Sequence, residues 1–175
     1  ALLAARLSGI PKKVGGVRVL GCGNVIRRMV GRAIAKELQD DCRRAAGPCQ
    51  FGLSSDGTGA LHRHLQAALA LHPDFGVLSL DIRDAFSRIL RHAVAHKTAT
   101  HAPRLWSLIA PWLMLDVEHV VSGEAGEDPC LVQQQVGLDQ GCPLSPALYA
   151  IAVRDLLTEV EQAMQQVDPA SSVVA

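Results

Sequence analysis

The stretch Phe75-Gly-Val-Leu-Ser-Leu-Asp81-Ile-Arg-Asp84-Ala-Phe86 carries the strongest signal in the chain. Residues 76–82 are its most strand-like run, with the apolar pattern expected of a buried central strand. Asp81 ends this run, where a rigid strand would carry its carboxylate out of the core. A carboxylate in that position can hold a divalent metal ion beside a phosphate group. A simpler interpretation also stands, in which Asp81 only ends the strand and Phe86 belongs to the core.

A second informative stretch, Gly137-Leu-Asp-Gln140-Gly141-Cys-Pro143-Leu-Ser145-Pro146, follows about sixty residues later. Gly141 lets the main chain approach a ligand closely, because it has no side chain. Gln140 has both a donor and an acceptor, so it can meet a sugar or a base. The two prolines stiffen the entry to a helix predicted over about 145–166. By itself the stretch is also compatible with an ordinary helix start.

A basic hairpin precedes both stretches. The run Pro11-Lys12-Lys13-Val-Gly15-Gly16-Val17-Arg18-Val-Leu20 predicts two strands joined at the glycine pair. Arg18 suits a phosphate ligand, because its planar guanidinium can donate two parallel hydrogen bonds. Lys12 and Lys13 add positive charge, although flexible lysines are common on any surface.

In this order, the three stretches resemble sequence blocks of reverse transcriptases. The segment from Asp81 to Phe86 repeats the family pattern Asp-x-x-x-Ala-aromatic. The segment from Gln140 to Pro146 is close to the Gln-Gly-x-Pro-Leu-Ser-Pro stretch of the enzymes from non-LTR retrotransposons and group II introns. The hairpin and Gln50-Phe51-Gly52 resemble two further blocks, so the resemblance covers roughly residues 10–165.

The resemblance implies an α+β fold of the right-hand polymerase type, rich in helix and with a small antiparallel sheet. It implies a fingers part over 1–72, a partial palm with an interleaved fingers segment over 73–167, and a frayed tail over 168–175. The implied partners are an RNA template, a DNA primer and a dNTP, with Mg²⁺ or Mn²⁺ as cofactor.

The resemblance also assigns roles to residues of this chain. Asp81 would be the catalytic metal ligand, and the carbonyl of Ile82 a second ligand. Phe86 would pack under the sugar and exclude a 2′-hydroxyl. The residues implied in nucleotide binding are Lys13, Arg18, Asp84, Ala85, Phe86, Gln140 and Gly141. Arg27 and Arg28 are predicted to hold nucleic acid, although they fit the solvated face of an amphipathic helix equally well.

One feature departs from the family pattern. Polymerases of this type need a second acidic site, usually aromatic-x-Asp-Asp after the last helix, and no Asp-Asp follows Asp155 here. Asp40-Asp41 lies before the first block, which is the wrong order. We therefore expect the chain to be inactive by itself, and we interpret it as a fragment lacking the C-terminal palm and thumb of its parent polypeptide. A non-catalytic remnant that binds nucleic acid is the alternative.

Composition and charge narrow the classes of protein. The 175 residues are 49% hydrophobic and only 3% aromatic, which favours a helical core of small aliphatic side chains. The net charge of the chain is zero, but residues 1–44 carry +7 and residues 45–175 carry −7. A basic first part suits contacts to phosphates, and an acidic remainder suits contacts to a metal ion. Five cysteines without a Cys-x-x-Cys pair predict free thiols in a reducing compartment. With no membrane-spanning run and no targeting signal, we expect an intracellular protein, nuclear or cytoplasmic.

The remaining pattern predicts a hairpin, helices, one strand, more helices, a second hairpin and a last helix, which is an α+β order. The predicted helices cover about 25–44, 58–71 and 84–97, with a further helix from Pro103 that Pro111 kinks or splits. Asn24 and Asp84 are the predicted caps of the first and third. The second hairpin joins 117–121 to 130–136.

Two other sites are compatible with parts of the sequence. Gly21 and Gly23 follow a possible strand and precede a helix, as in a dinucleotide-binding fold, but the third glycine of that fingerprint is absent. His92 and His96 share one predicted helix face and could bind zinc, although solvated or core histidines explain them better.

Overall fold

The computed structural model describes residues 4–13, 15–122 and 127–175. Within them the chain forms β1 (Ala5–Pro11), β2 (Val17–Gly23), α1 (Val25–Glu37), α2 (Gln39–Ala46), α3 (Gly57–Leu71), α4 (Ala85–Arg88), α5 (Arg91–His101), α6 (Pro103–Met114), β3 (Val117–Val121), β4 (Cys130–Gln134) and α7 (Ser145–Val167). The helix-rich α+β class is as predicted, and the order of elements matches the prediction except for the strand expected over residues 76–82. Part of the predicted turn between β3 and β4 lies outside the described residues.

The strands form one four-stranded sheet in the order β2-β1-β3-β4. Both predicted hairpins are confirmed, with Pro11 opposite Val17 in the first and Val117 opposite Gln134 in the second. The hairpins meet through a short parallel pairing of β1 with β3, where Arg6 lies opposite Val120. The small sheet is therefore antiparallel within each hairpin and parallel where the hairpins join, and the sequence did not predict that join.

The core lies between α5, α6, the first half of α7 and the adjacent α2. Its fully enclosed aliphatic side chains come from α5, α6, α7 and the residue before α7: Val94, Leu105, Ile109, Leu144 and Ile151. Burying each such side chain stabilises the fold by about 1.5–3 kcal/mol. The core thus fixes the beginning of α7, and with it the turn that carries Gln140.

The strand predicted over residues 76–82 is not formed. Leu78 is 82% exposed and Leu80 is 79% exposed, so the run is not buried either. A strand depends on a neighbour for its backbone hydrogen bonds, and nothing in the described part of the chain pairs with this run. The prediction of a buried central strand is therefore wrong for the described part of the chain, because the run lacks the partner that a strand requires.

The helix predicted from Asp84 to about residue 97 is also wrong. Asp84 has a left-handed backbone (φ 53°, ψ 38°) and its side chain does not cap the helix. Only the single turn α4 follows before α5 begins at Arg91. The carbonyls of Phe86 and Ile89 instead accept the N–H groups of Leu138 and Gly137, at 2.7 Å and 2.8 Å. The segment after Asp81 is therefore tied to the segment before Gln140, which interrupts the helix.

The predicted helix over 25–44 divides at the buried Leu38 into α1 and α2. The apolar stripe expected at its start does not face the core, because Val25, Ile26 and Met29 are more than 60% exposed. The inner side of α1 carries Gly31 instead, which lies against a neighbouring proline and tryptophan. The first half of α1 therefore approaches the rest of the fold through a small residue, whereas Ile34 and Ala35 in its second half pack against the core.

The other helices follow the predictions more closely. The helix over 58–71 corresponds to α3, and the last helix corresponds to α7. The helix that begins at Pro103 continues through Pro111 to Met114 and is not split.

The tail does not fray as predicted. The N–H of Ala175 donates to the carbonyl of Cys49 at 2.8 Å, and the carbonyl of Ala175 accepts from the N–H of Phe51 at 2.5 Å. The N–H of Val173 also donates to the side chain of Glu161 at 3.4 Å. These bonds hold the last residues beside the loop between α2 and α3.

Candidate nucleotide-binding cleft

An open cleft of about 450 Å³ lies between the first hairpin, the segment around Asp81 and the turn before α7. Three separate parts of the sequence therefore form its walls. The residues that line it are Lys12, Val17, Arg18, Val19, Asp81, Asp84, Ser87, Arg88 and Gln140.

The cleft carries both signs of charge. Lys12, Arg18 and Arg88 are its cations, and Asp81 and Asp84 are its carboxylates. Lys12 Nζ lies 3.3 Å from the Asp84 Oδ1 atom, so one ion pair bridges the hairpin and the acidic segment. Such an exposed pair contributes at most about 1 kcal/mol, and Lys12 can exchange Asp84 for a phosphate at little cost. Cations of this kind bind phosphate oxygens, while carboxylates bind metal ions.

The structure brings into one cleft three residues to which the resemblance gave roles in binding metal or nucleotide, namely Asp81, Arg18 and Gln140. Asp84 lies there as well. Lys12 lines the cleft in the position expected for Lys13, which is exposed in the turn of the hairpin.

The other predicted residues lie beside the cleft. Ile82 is 57% exposed, and Ala85 begins α4. Phe86 packs against the core, with its ring centroid 4.9 Å from that of Tyr149, and does not line the cleft wall. A contact from Phe86 to a sugar stays a prediction and would need a change in this segment.

The carboxylates of the cleft suit one kind of metal. Mg²⁺ is typically held by one or two carboxylates together with water and substrate phosphates, and Asp81 and Asp84 are the carboxylates that line the described cleft. No group of three or more His, Cys, Asp or Glu side chains that could hold a metal ion occurs among residues 4–13, 15–122 and 127–175. The zinc site considered for His92 and His96 therefore lacks a third ligand of these types within those ranges.

The turn that carries Gln140 is in backbone contact with β2. The Gly21 N–H donates to the Gln140 carbonyl at 2.9 Å. A Cβ atom on Gly141, whose φ is 117°, would lie 3.1 Å from the Gly21 carbonyl oxygen. Glycine at position 141 is therefore required both by its backbone conformation and by this close approach.

The dinucleotide-binding alternative is contradicted by the sheet. Gly21 and Gly23 belong to β2, which pairs antiparallel with β1 along its whole length. A dinucleotide fold would place them at the end of a parallel strand that leads into a helix. Gly21 instead allows the main chain to approach Asp139, because a Cβ atom there would lie 3.1 Å from that side chain.

A buried network that the sequence did not reveal lies behind this turn. The Asp139 side chain is 6% exposed; its Oδ2 atom is 3.0 Å from the Arg27 guanidinium. Its Oδ1 atom is 3.0 Å from His119 Nε2 and accepts from the Gln134 amide at 3.0 Å. Burial by itself would raise the pKa of Asp139, but the His119 hydrogen bond and the Arg27 charge together hold this pKa below its usual value. Asp139 is therefore an ionised carboxylate inside the protein.

Arg91 links the same region to α6. Its guanidinium donates to the Gln134 side chain at 2.9 Å and to the Trp112 carbonyl at 2.7 Å. Burial lowers the pKa of Arg91, and the nearby Asp139 carboxylate opposes that shift. Arg91 thus satisfies a backbone carbonyl at the end of α6 while it holds the start of the α7 turn.

The network changes the interpretation of Arg27. Its side chain is only 11% exposed, and its guanidinium lies 5.6 Å from the centroid of the Trp112 ring, so burial argues against the predicted contact to nucleic acid. Arg28 is exposed, and its contact to nucleic acid stays a prediction. Sequence periodicity could not distinguish the two neighbours, because the deciding partner, Asp139, lies near the other end of the chain.

The fold and the cleft define a polymerase-type fingers and partial palm. A family model described as reverse transcriptase (RNA-dependent DNA polymerase) matches residues 10–173. The chain therefore belongs to the reverse transcriptase family. No curated protein sequence matches it. In the described ranges, none of the helices combines the length and apolar character that crossing a membrane requires.

A solved structure shows the same fold. Apo telomerase from Candida tropicalis, truncated from its C-terminal domain, superposes with a TM-score of 0.63 at 12% sequence identity. The match covers 97% of this chain and 41% of the telomerase chain. This chain thus corresponds to less than half of that protein, and at this identity the likeness concerns the fold.

Proposed function

We propose that this chain is the fingers and first part of the palm of a reverse transcriptase that extends a primer 3′-hydroxyl with dNTPs on an RNA template. The hydroxyl oxygen would attack the α-phosphorus, form the new phosphodiester bond and release pyrophosphate. The observation that carries the proposal is the meeting of Arg18, Asp81 and Gln140, from three distant segments, in one cleft.

The residues of the cleft divide the work by charge. Arg18 and Lys12 would bind the triphosphate oxygens, since both cations line the hairpin wall. Gln140 and Gly141 would border the base and sugar of the dNTP. Phe86 would pack under the sugar and exclude a 2′-hydroxyl. Asp81, with the Ile82 carbonyl, would hold Mg²⁺ or Mn²⁺, and that ion would neutralise charge on the reacting phosphate. Catalysis would then depend mainly on positioning and charge neutralisation.

We further propose that this chain does not catalyse by itself. Asp81 and Asp84 are the only carboxylates that line the described cleft, and two metal ions need ligands on both sides of the reacting phosphate. Residues 76–82 have the composition of a strand, but no strand in the described ranges pairs with them. A C-terminal palm segment of the parent polypeptide would supply both the pairing strand and the second acidic site.

The subtype and compartment are also part of the proposal. The stretch from Gln140 to Pro146 supports a relationship to the enzymes of non-LTR retrotransposons and group II introns. Five free cysteines support a reducing compartment, nuclear or cytoplasmic. A second candidate function is that of a non-catalytic remnant that binds nucleic acid. This candidate is favoured because the described cleft lacks a second pair of carboxylates.

Primer extension on an RNA template with Mg²⁺ tests the proposal. The chain alone should incorporate no dNTP, whereas a longer parent polypeptide should extend the primer. In that polypeptide, Asp81→Asn should lower the rate by at least about 10²-fold, because it removes charge stabilisation at the reacting phosphate. Asp74→Asn changes an exposed carboxylate outside the cleft and should have no effect.

Two results would contradict the proposal. Extension that is unaffected by Asp81→Asn would remove Asp81 from the chemistry. A parent polypeptide that binds an RNA–DNA duplex with strong salt dependence, but never extends it, would favour the remnant instead.

A further inference from the structure

We propose that Asp139, clamped by Arg27 and His119, is a positioning residue that holds Gln140 at a fixed distance from Arg18 across the cleft. The inference rests on the proposed function, because it concerns nucleotide binding in that cleft. None of Asp139, Arg27 and His119 lines the cleft, so each would act through other residues.

Three elements hold the Asp139 carboxylate from different directions. Arg27 reaches its Oδ2 atom from α1 at 3.0 Å. His119 and Gln134 reach its Oδ1 atom from β3 and β4, each at 3.0 Å. The hydroxyl of Ser145, at the start of α7, donates to the Asp139 carbonyl at 2.8 Å. Both the side chain and the main chain of residue 139 are therefore fixed.

His119 extends the clamp to β1. Its Nδ1 atom accepts the Ala5 N–H at 3.0 Å, so Nδ1 carries no proton in this arrangement. The Nε2–H group must then be the donor to the Asp139 Oδ1 atom. A single imidazole thus connects the hairpin that begins at Ala5 with the turn that carries Gln140.

The clamp reaches the cleft through the next residue. The Gln140 carbonyl accepts the Gly21 N–H at 2.9 Å, and Gly21 lies on the strand that presents Arg18. The Asp139 side chain leaves no room for a Cβ atom on Gly21, since the two would be 3.1 Å apart. A displacement of Asp139 therefore displaces Gln140 relative to Arg18, and both of these residues line the cleft.

The chemistry of the clamp favours a geometric role over a purely stabilising one. Buried ion pairs are often no more stable than apolar residues of similar volume, because desolvation offsets their attraction. They do impose one hydrogen-bonded arrangement, which in a binding site holds ligand-contacting groups in place. Here that arrangement involves Asp139, the residue adjacent to Gln140.

The test measures binding of fluorescent mant-dATP to the full chain in Mg²⁺, with every variant first checked for folding by circular dichroism. Arg18→Ala and Gln140→Ala should each weaken binding if the cleft binds nucleotide. Asp139→Asn should weaken it by at least about tenfold, the usual effect of losing a group that orients a ligand-binding residue. Asp155→Asn is the control, since Asp155 on α7 also pairs with a cation and a histidine, Lys97 and His101 on α5, but is partly exposed and does not line the cleft.

A double variant separates positioning from general loosening. If Asp139 acts through Gln140, Asp139→Asn should weaken binding much less in a Gln140→Ala background than in the original chain. Amide exchange at Gly21 should also accelerate in Asp139→Asn, because its acceptor has moved. Should Asp139→Asn fail to fold, His119→Gln keeps a donor near Oδ1 and removes the acceptor for Ala5; it should weaken binding at least threefold.

The outcomes distinguish the two proposals. If Arg18→Ala and Gln140→Ala weaken binding but folded Asp139→Asn or His119→Gln does not, the positioning role is overturned and the cleft is retained. Equal loss in Asp155→Asn, or full additivity with Gln140→Ala, would also overturn the positioning role. If neither Arg18→Ala nor Gln140→Ala changes binding, the proposed function itself fails.

Discussion

Removal of the Arg27 guanidinium should show how much unfolding free energy is lost when the buried carboxylate of Asp139 has no cationic partner at this position. Arg27→Met keeps a side chain of similar length and leaves the Asp139 carboxylate, 6% exposed, with only its neutral hydrogen-bond donors. Removing one member of a buried pair costs about 3–5 kcal/mol. The donors His119 and Gln134 remain in contact with Asp139, so we expect the lower end, about 3 kcal/mol of unfolding free energy.

The assay is urea unfolding followed by circular dichroism at pH 7, with thermal unfolding in parallel. For a chain of this size, a loss of about 3 kcal/mol corresponds to a fall in Tm of roughly 6–12 °C. Arg63→Met is the matched control, because Arg63 lies 2.9 Å from Asp56 but both side chains are about two-thirds exposed. The control should show no measurable change.

Equal effects of Arg27→Met and Arg63→Met would refute this reasoning, because burial would then not determine the strength of the pair. A loss below about 1 kcal/mol in Arg27→Met would also refute it, since a stranded buried carboxylate costs more than that. A further sign of the expected cause is the pH dependence of the variant. Without the Arg27 charge the pKa of Asp139 rises, so the variant should be least stable relative to the original chain near neutral pH.

The remaining predictions concern single residues. Gly141→Ala should cost about 1–3 kcal/mol in urea unfolding, because a left-handed backbone and a close carbonyl both oppose a Cβ atom, whereas Gly76→Ala, with open space around it, should not destabilise. Because the pKa of Asp139 is lower in the folded than in the unfolded chain, this carboxylate stabilises the fold at pH values above the unfolded pKa of about 3.9. That stabilisation is lost as the pH falls through the folded pKa. In a plot of unfolding free energy against pH, Asp139→Asn should therefore show a flatter decline on the acid side. Iodoacetamide at pH 8 should label the exposed Cys22 and spare Cys42, which is 3% exposed and whose thiol pKa is raised by burial; equal labelling in mass spectrometry would contradict this.

Local sequence signals predicted the elements that depend on local chemistry. The Gly15-Gly16 turn fixed the first hairpin, since both glycines adopt positive φ there. The helix predicted over about 145–166, behind an entry stiffened by two prolines, is confirmed over Ser145–Val167. The convergence of Asp81, Arg18 and Gln140 came from the resemblance to a family. No spacing rule could have brought residues so distant in sequence to one cleft.

The errors have a common physical origin in contacts between distant segments. The helix after Asp84 stops because Phe86 and Ile89 give their carbonyls to the 137–138 segment. Arg27 turns inward because Asp139 is buried opposite it. Asp139 itself lies inside the second informative stretch, Gly137–Pro146, yet nothing in the local sequence indicated a buried charge.

Asp81 combines a strong sequence signal with weak support from the surrounding structure. The nearby ion pair between Lys12 and Asp84 is exposed and contributes at most about 1 kcal/mol. Covering Leu78 and Leu80, both about four-fifths exposed, would contribute about 1.5–3 kcal/mol each. A segment that covered residues 77–82 would therefore stabilise the position of Asp81 more than the nearby Lys12–Asp84 ion pair does. Under the proposed function, a palm segment that covers this run would therefore also fix the position of the proposed metal ligand Asp81.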